Sequence, residues 1–218
     1  MNKTKQNRLS PQTRSDFITY GIVLVAFLVL QPMKMAGLLS SSLSGLLVPI
    51  CAYVVMAISL NLTVGVLGEL SLGHAGFMSV GAFSGVVAAA MMESTVSSAP
   101  LRLFLAIVIG GLIAGVAGFV IGIPVLRLRG DYLAIVTLAF GEIIKNIINC
   151  LYVGFDSQGL HIGMQDSVSL GMEQGGRVLI NGPVGAVGVA KLSSFTAGFL
   201  LILFSLVVVL NMKRSRTG

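Results

Sequence analysis

The chain has 218 residues, of which 55% are apolar and 10% are charged, against about 25% charged in ordinary soluble domains. A water-soluble globule of this length has too little interior to bury so much apolar side chain, and the mean hydropathy is +0.95. The composition therefore predicts an integral membrane protein. The net charge of +6 does not indicate a nucleic-acid binder, because the basic residues flank apolar segments.

Six apolar segments have the length of membrane-spanning helices, which need about 20 mostly apolar residues. We therefore predict an all-α, polytopic helical bundle. The predicted spans are 17–39, 44–66, 70–92, 101–126, 132–153 and 195–211. The remaining parts are an N-terminal tail (1–16), a long polar, Gly-rich loop (154–194) and a C-terminal end (213–218).

The first span is the least regular, because Gln31, Pro32 and Lys34 interrupt it. Its strongly apolar part, 17–30, also has the length of a signal-peptide core. No Ala-x-Ala cleavage site follows it, so we predict an uncleaved anchor.

The distribution of Lys and Arg predicts the orientation of the spans, since cytoplasmic connections carry the excess of both. With both termini inside, nine basic residues lie inside and four outside. The inside set includes Arg127 and Arg129, and the outside set consists of Lys34, Arg102, Arg177 and Lys191. We therefore expect cytoplasmic N- and C-termini, with loop 154–194 on the extracytoplasmic side of the membrane.

Small residues recur at helical spacing on two spans. Helices in lipid associate through close packing of such residues, so we predict that they form helix–helix contacts. The set comprises Gly81 and Gly85 on the third span and Gly111, Gly115, Gly118 and Gly122 on the fourth.

The sequence carries no recognisable catalytic, nucleotide-binding or metal site. It has no GxxxxGK motif and no GxSxG motif, and its two histidines are isolated. An intramembrane hydrolase built on Ser71 and His74 is disfavoured, because nothing marks the third group that orients such a pair. We predict that the chain is not an enzyme and holds neither metal nor cofactor. Cys51 and Cys150 lie in apolar runs, which favours buried, reduced thiols.

The segment Gly68–Phe77 places a Ser and a His among glycines at the start of an apolar run. Each glycine costs a helix up to about 1 kcal/mol relative to Ala. Broken membrane helices use such sequences to aim backbone N–H groups at anionic substrates. One hypothesis is a half-helix N-terminus that faces a carboxylate, with Ser71, Gly73 and His74 on the substrate pathway. The alternative is a tight cytoplasmic turn.

Two charged residues lie inside the fifth span. Glu142 and Lys145 are three residues apart and share a helix face. Charges at this depth are expensive and usually pair or face a water-filled path. A structural ion pair and a pair of substrate-pathway residues both fit this pattern.

Two long motifs carry a resemblance to a known family. "LNLTVGVLGELSLGHAGFMSVGAF" (60–83) and "RLRGDYLAIVTLAFGEIIKNI" (127–147) resemble permease subunits of branched-chain amino acid ATP-binding-cassette transporters, the second in their M-type form. "NGPVGAVGV" (181–189) is a weaker match, and "KRSRTG" (213–218) resembles a cytoplasmic motif of the family. The similarity covers about residues 45–218.

The resemblance implies a function that composition does not show. It implies half of a heterodimeric pore in the inner membrane, paired with a second permease subunit. It also implies a periplasmic amino-acid-binding protein that delivers the cargo and two ATPase subunits that use ATP on separate chains. The expected cargo is leucine, isoleucine or valine.

The resemblance also implies a longer protein. Members of the family continue past the Ser-Arg-x-Gly motif, which stands here at 215–218, with a loop that docks on the ATPase. The expectation that follows is a chain lacking its C-terminal part. Three other readings stay open: a non-transporting fragment, a related permease for urea or short amides, and a secondary transporter. The last should show internal repeats, and we find no convincing repeat.

Overall fold

The computed structural model describes residues 11–68, 71–125, 127–166, 168–172 and 175–214, with the backbone alone at 11–16, 66, 67, 213 and 214. The tail cations of residues 1–10, Glu69 and the end of the C-terminal motif, 215–218, lie outside the described residues. The chain divides into two compact units. Unit 1 is Met1–Ser59 with Ser193–Gly218, and unit 2 is Leu60–Leu192.

The described chain is mostly helical, and a helix lies at each of the six predicted spans. The helices are α1 (Pro11–Met35), α2 (Ser41–Leu62), α3 (His74–Met91), α4 (Ala99–Val125), α5 (Asp131–Asn149) and α6 (Phe195–Arg214). Five of them are long and apolar enough to cross a membrane, by length and composition, and α5 is not one of the five. The polytopic helical fold is confirmed, and the crossing by α5 stays a prediction.

The helix ends differ from the predicted span ends by a few residues. α1 begins at Pro11, inside the predicted tail, because proline suits the first turn of a helix. α2 continues into a π-helical turn, Thr63–Leu67, and ends at Gly68 with φ +70°, a left-handed conformation that glycine adopts at low cost. α5 ends at Asn149, four residues before the predicted end of the fifth span.

Unit 1 has a core formed by side chains of α2 and α6, with part of α1 packed against it. The buried members are Leu47, Cys51, Phe195, Ile202 and Leu206. A Cβ on Gly198 would lie 2.8 Å from the Cβ of Cys51, so the glycine permits the close approach of α6 to α2. Cys51 is buried as predicted, whereas Cys150, just past the end of α5, is exposed.

Unit 2 is built on a close contact between α3 and α4. Gly110 of α4 lies against the backbone carbonyl of Gly81, and a Cβ on Gly85 would lie 3.1 Å from the Ala106 carbonyl oxygen. The predicted packing role of Gly81 and Gly85 fits this contact.

The predicted packing face of α4 is not the face on which α3 packs most closely, and its packing role stays a prediction. A Cβ added at Gly111, Gly115 or Gly122 would meet nothing within 4 Å, and one at Gly118 would meet only the Phe77 ring at 3.9 Å. The physical reason is that α3 contacts the neighbouring face of α4, one residue away from the predicted row, where Gly110 stands.

The segment after α5 contains a small sheet that the prediction of an irregular loop missed. β1 (Tyr152–Phe155), β2 (Leu160–Gly163) and β3 (Arg177–Asn181) form an antiparallel sheet with the order β2-β1-β3. The apolar residues 152 and 153, assigned to the fifth span, belong to β1. A short 3-10 turn, Gly182–Val184, follows β3.

Candidate functional site: a cleft between α3 and α5

Two helices of unit 2 approach each other closely where α3 begins. A Cβ on Gly73 would lie 2.7 Å from the Thr137 carbonyl oxygen, and one on Gly76 would lie 3.1 Å from the Cα of Gly141. The Leu72 amide also donates a hydrogen bond to Thr137 Oγ1 at 3.1 Å. The glycines that look expensive in a single helix therefore permit backbone contact between two.

These contacts set the relative direction of the two helices. Gly73 lies beside Thr137, and Gly76 lies beside Gly141. The residue numbers rise together along both helices, so α3 and α5 run side by side in the same direction. Each residue further along α3 is therefore matched by one further along α5, and side chains of both helices line the space between them.

A cleft of about 420 Å³ opens along this pair of helices. Its size falls in the usual range for small-molecule sites, about 300–1,000 Å³. Most of its lining is apolar. The residues are Leu72, Ala75, Gly76, Ser79 and Phe83; Leu138, Gly141, Glu142, Lys145, Ile148 and Asn149; and Gly182, Pro183 and Gly185.

The loop after β3 closes one end of the cleft. Gly182 donates its N–H to the Leu151 carbonyl at 3.0 Å, and a Cβ on it would lie 2.8 Å from the Asn149 carbonyl oxygen. Gly182 has φ +47°, so it supplies both the conformation and the space that dock the 3-10 turn on the end of α5.

The charges of the cleft form one ion pair. Lys145 Nζ lies 3.1 Å from Glu142 Oε2 and 3.4 Å from Oε1, so the ammonium donates toward both carboxylate oxygens. The side chains remain 55% exposed at Glu142 and 63% exposed at Lys145. Glu142 and Lys145 therefore form an ion pair whose side chains are still accessible to solvent. The geometry is compatible both with a structural ion pair and with a pair of substrate-pathway residues.

The predicted pathway residues do not all meet at this cleft. Glu142 and Lys145 line it, and Gly73 shapes the helix contact at its edge. Ser71 lies in the non-helical segment before α3, and His74 is the first residue of α3; neither lines the cleft. A helix N-terminus does lie at His74, but the glycines there pack on α5, and both the half-helix and its role in substrate binding stay predictions.

Sequence reasoning missed several contributors to the site. Thr137 is buried and bonds to both the Leu72 amide and the Ala134 carbonyl, and Ser79 lines the cleft from α3. A threonine and a serine in an apolar run carry no local mark of such roles. The loop at 182–185 stood out only as part of the weakly matching motif at 181–189.

The sheet is joined to the end of α3 by charged side chains. Arg177 of β3 donates from Nη1 to Glu93 Oε2 at 3.2 Å, and Arg102 Nη1 lies 4.0 Å from Glu93 Oε1. These contacts place the α3–α4 turn and the sheet at the same end of unit 2.

Within the described residues, no three His, Cys, Asp or Glu side chains are grouped so that they could hold a metal ion. The prediction that the chain binds neither metal nor cofactor remains a prediction.

Comparison with known proteins decides the family. The family described as "Branched-chain amino acid transport system / permease component" matches residues 42–218, which is most of the chain. The chain belongs to this family. The permease is therefore a multi-pass membrane protein of a transport family, not of an enzyme family, and the resemblance seen in its motifs is confirmed.

Two curated relatives agree with this assignment. Both are named high-affinity branched-chain amino acid transport system permease protein LivM, from Escherichia coli strain K12 (44% identical over 96 residues) and Salmonella typhimurium strain LT2 (42% identical over 96 residues). Each match covers 44% of the permease and 21% of the relative, so the similarity spans about a fifth of those proteins. No solved structure matches the permease significantly.

Proposed function

We propose that this permease forms part of the pathway by which branched-chain amino acids are imported. The observation that carries the proposal is the cleft between α3 and α5, which combines an apolar lining with one accessible ion pair. Leucine, isoleucine and valine combine an apolar side chain with two opposite charges. Membership of a branched-chain amino acid transport family supports the same cargo.

The energy for import is proposed to come from other chains. ATP would be hydrolysed by two separate ATPase subunits, a second permease subunit would complete the pore, and a periplasmic binding protein would deliver the amino acid. The absence of a GxxxxGK motif in the 218 residues supports this division of labour, because that loop cradles nucleotide phosphates in such ATPases.

The protein is proposed to lie in the inner membrane with both termini in the cytoplasm. The distribution of basic residues supports this orientation. The fold supports it as well, because Arg102 and Arg177, both predicted outside, meet at Glu93. Arg127 and Arg129 follow α4, a helix about 40 Å long, at its other end.

Uptake in cells tests the proposal. In a strain whose other leucine uptake systems are deleted, removal of this gene should abolish uptake of labelled leucine, isoleucine and valine, and the restored gene should recover it. Dissipating ATP should have the same effect as removing the gene. Unchanged uptake of all three amino acids after removal would overturn the proposal, and loss of urea uptake instead would support the amide-permease alternative.

A further inference from the structure

The lining of the cleft separates its charges from its apolar walls. Among the described residues that line it, the charged ones are Glu142 and Lys145, which sit one turn apart on α5. Leu72 precedes α3 and Leu138 lies one turn before Glu142 on α5, whereas Phe83 and Ile148 lie further along the two helices. A ligand whose charges meet the ion pair would therefore place an adjoining apolar group against an apolar wall.

The exposure of the pair leaves binding capacity on both partners. An ammonium has three donors and a carboxylate has about four acceptor positions, and their mutual contact at 3.1 Å uses only part of these. More than half of each side chain is uncovered, which is costly for charges inside a membrane protein unless they face water or a polar ligand.

We propose that Glu142 and Lys145 act together as a clamp for a zwitterion, so that the cleft takes free α-amino acids and rejects uncharged amides. The proposal rests on the proposed import function and names the ligand class of the same site. Lys145 binds the ligand carboxylate, Glu142 binds the ligand ammonium, and the ion pair between them remains intact.

The dimensions of an α-amino acid suit this arrangement. Its ammonium nitrogen and carboxylate carbon are about 2.5 Å apart, from standard bond lengths and angles. The Lys145 nitrogen and the Glu142 oxygen are separated by a similar 3.1 Å. Four alternating charges can therefore form a compact square in which each charge has two opposite neighbours, and no group on either molecule is left unpaired.

An uncharged amide cannot complete the square. It replaces two charge-assisted hydrogen bonds with weaker neutral ones, while it displaces water from both charged side chains. A ligand with one charge satisfies one side chain and leaves the other facing an apolar group, which costs free energy. The clamp thus predicts selection for both charges together.

The test measures binding of labelled leucine to the complex that purifies with this gene product, reconstituted in lipid nanodiscs, with three competitors. These are 4-methylpentanoate, which lacks the ammonium; isopentylamine, which lacks the carboxylate; and 4-methylpentanamide, which is uncharged. Leucine should bind about 10- to 100-fold more tightly than each of them, since one hydrogen bond to a charged group contributes that much.

Two single variants should change selectivity in opposite directions. Glu142→Gln should weaken leucine binding by about tenfold or more and leave 4-methylpentanoate binding equal or tighter, because Lys145 is freed for it. Lys145→Gln should weaken leucine binding similarly and favour isopentylamine. Glu93→Gln and Arg177→Gln, which break an ion pair outside the cleft, serve as matched controls and should leave selectivity unchanged. Thermal unfolding of each variant shows whether it is folded.

The outcomes separate this inference from the import function. Reciprocal shifts in selectivity support the clamp. Leucine binding that is unaffected in both folded variants, or absent from the wild-type complex while gene-dependent leucine uptake persists in cells, overturns the clamp and leaves the import function in place. Loss of the gene's effect on uptake overturns the import function itself.

Discussion

Neighbouring glycines on α4 have different surroundings although they share one helix. Gly110 lies against backbone atoms of Gly81 and Gly85, whereas a Cβ on Gly111 would meet nothing within 4 Å. The spacing of glycines predicted that α4 packs through small residues, and α4 does contact α3 through one of its glycines, Gly110. The row that contacts α3 is a different one from the row predicted, because spacing along one helix does not say on which side the partner helix lies.

Replacing these two glycines by alanine should therefore have opposite effects. Gly110→Ala forces a methyl group against a backbone carbonyl that cannot rotate away, and should cost about 1–3 kcal/mol of stability. Gly111→Ala places the same group in open space and should be neutral or slightly stabilising, because alanine favours helix by about 1 kcal/mol. Thermal unfolding of the two variants in the same detergent measures the difference. Equal melting temperatures would show that α3 and α4 do not meet at Gly110.

Thr137 stabilises the start of α3 through a single hydroxyl group. Its oxygen accepts from the Leu72 amide and donates to the Ala134 carbonyl. Thr137→Val keeps the shape of the side chain but removes both bonds, and should destabilise the protein by about 1–3 kcal/mol. Thr137→Ser keeps the hydroxyl and should lose much less. Hydrogen exchange at the Leu72 amide should accelerate in the valine variant alone, and identical exchange in both variants would contradict this role.

The helices and the sheet differed in how well the sequence predicted them. The helices follow from long apolar runs, and a helix lies at each of the predicted spans, with ends that differ by up to six residues. The strands are four or five residues long, and an apolar run of that length reads equally well as the end of a helix. β1 pairs with β3 across more than twenty intervening residues, and no local pattern encodes that pairing.

The turn between β1 and β2 depends on one buried carboxylate. Asp156 has a side chain that is 2% exposed, and its Oδ1 accepts from the amides of Gln158 (2.8 Å) and Gly159 (3.2 Å) and lies 3.1 Å from His161 Nε2. Without it, the Gln158 amide loses this acceptor, and the Gly159 amide loses one of two, the other being the Asp156 backbone carbonyl at 3.3 Å.

Asp156→Ala should therefore loosen the hairpin, at a cost of about 1–3 kcal/mol. The expected result is faster hydrogen exchange across residues 152–163. Asp166→Ala is the matched control, because Asp166 accepts from the Ser169 amide in an exposed turn, where water can replace it. If both variants exchange equally, the buried carboxylate is not what holds the hairpin.

At the scale of the whole molecule, the cleft required the assembled fold. Glu142 and Lys145 were identified as a pair from their spacing, but Ser79, Gly182 and Pro183 join them only through packing of α3, α5 and the loop after β3. Motif resemblance identified the family, since the two motifs are long. The position of the motifs around a common cleft could not be inferred, because it depends on contacts between residues some 65 positions apart, such as Leu72 and Thr137.

The orientation in the membrane can be tested with single cysteines. In a variant with Cys51 and Cys150 replaced by alanine, Ser169→Cys in the loop after β2 should react with a membrane-impermeant maleimide in intact cells. Arg129→Cys, between α4 and α5, should react only after permeabilisation, because the inside loops carry the basic excess. Labelling in the reverse pattern would invert the proposed topology.

The aromatic residue in the lining of the cleft makes the protein suited to fluorescence measurements. Phe83 lines the cleft, and the 218 residues include no tryptophan. A single Phe83→Trp substitution would therefore give this chain one indole in the lining of the cleft, which can be excited selectively at wavelengths that its tyrosines do not absorb. Its emission wavelength would report how wet the cleft is, and quenching by soluble iodide would show when a ligand or a partner subunit covers it.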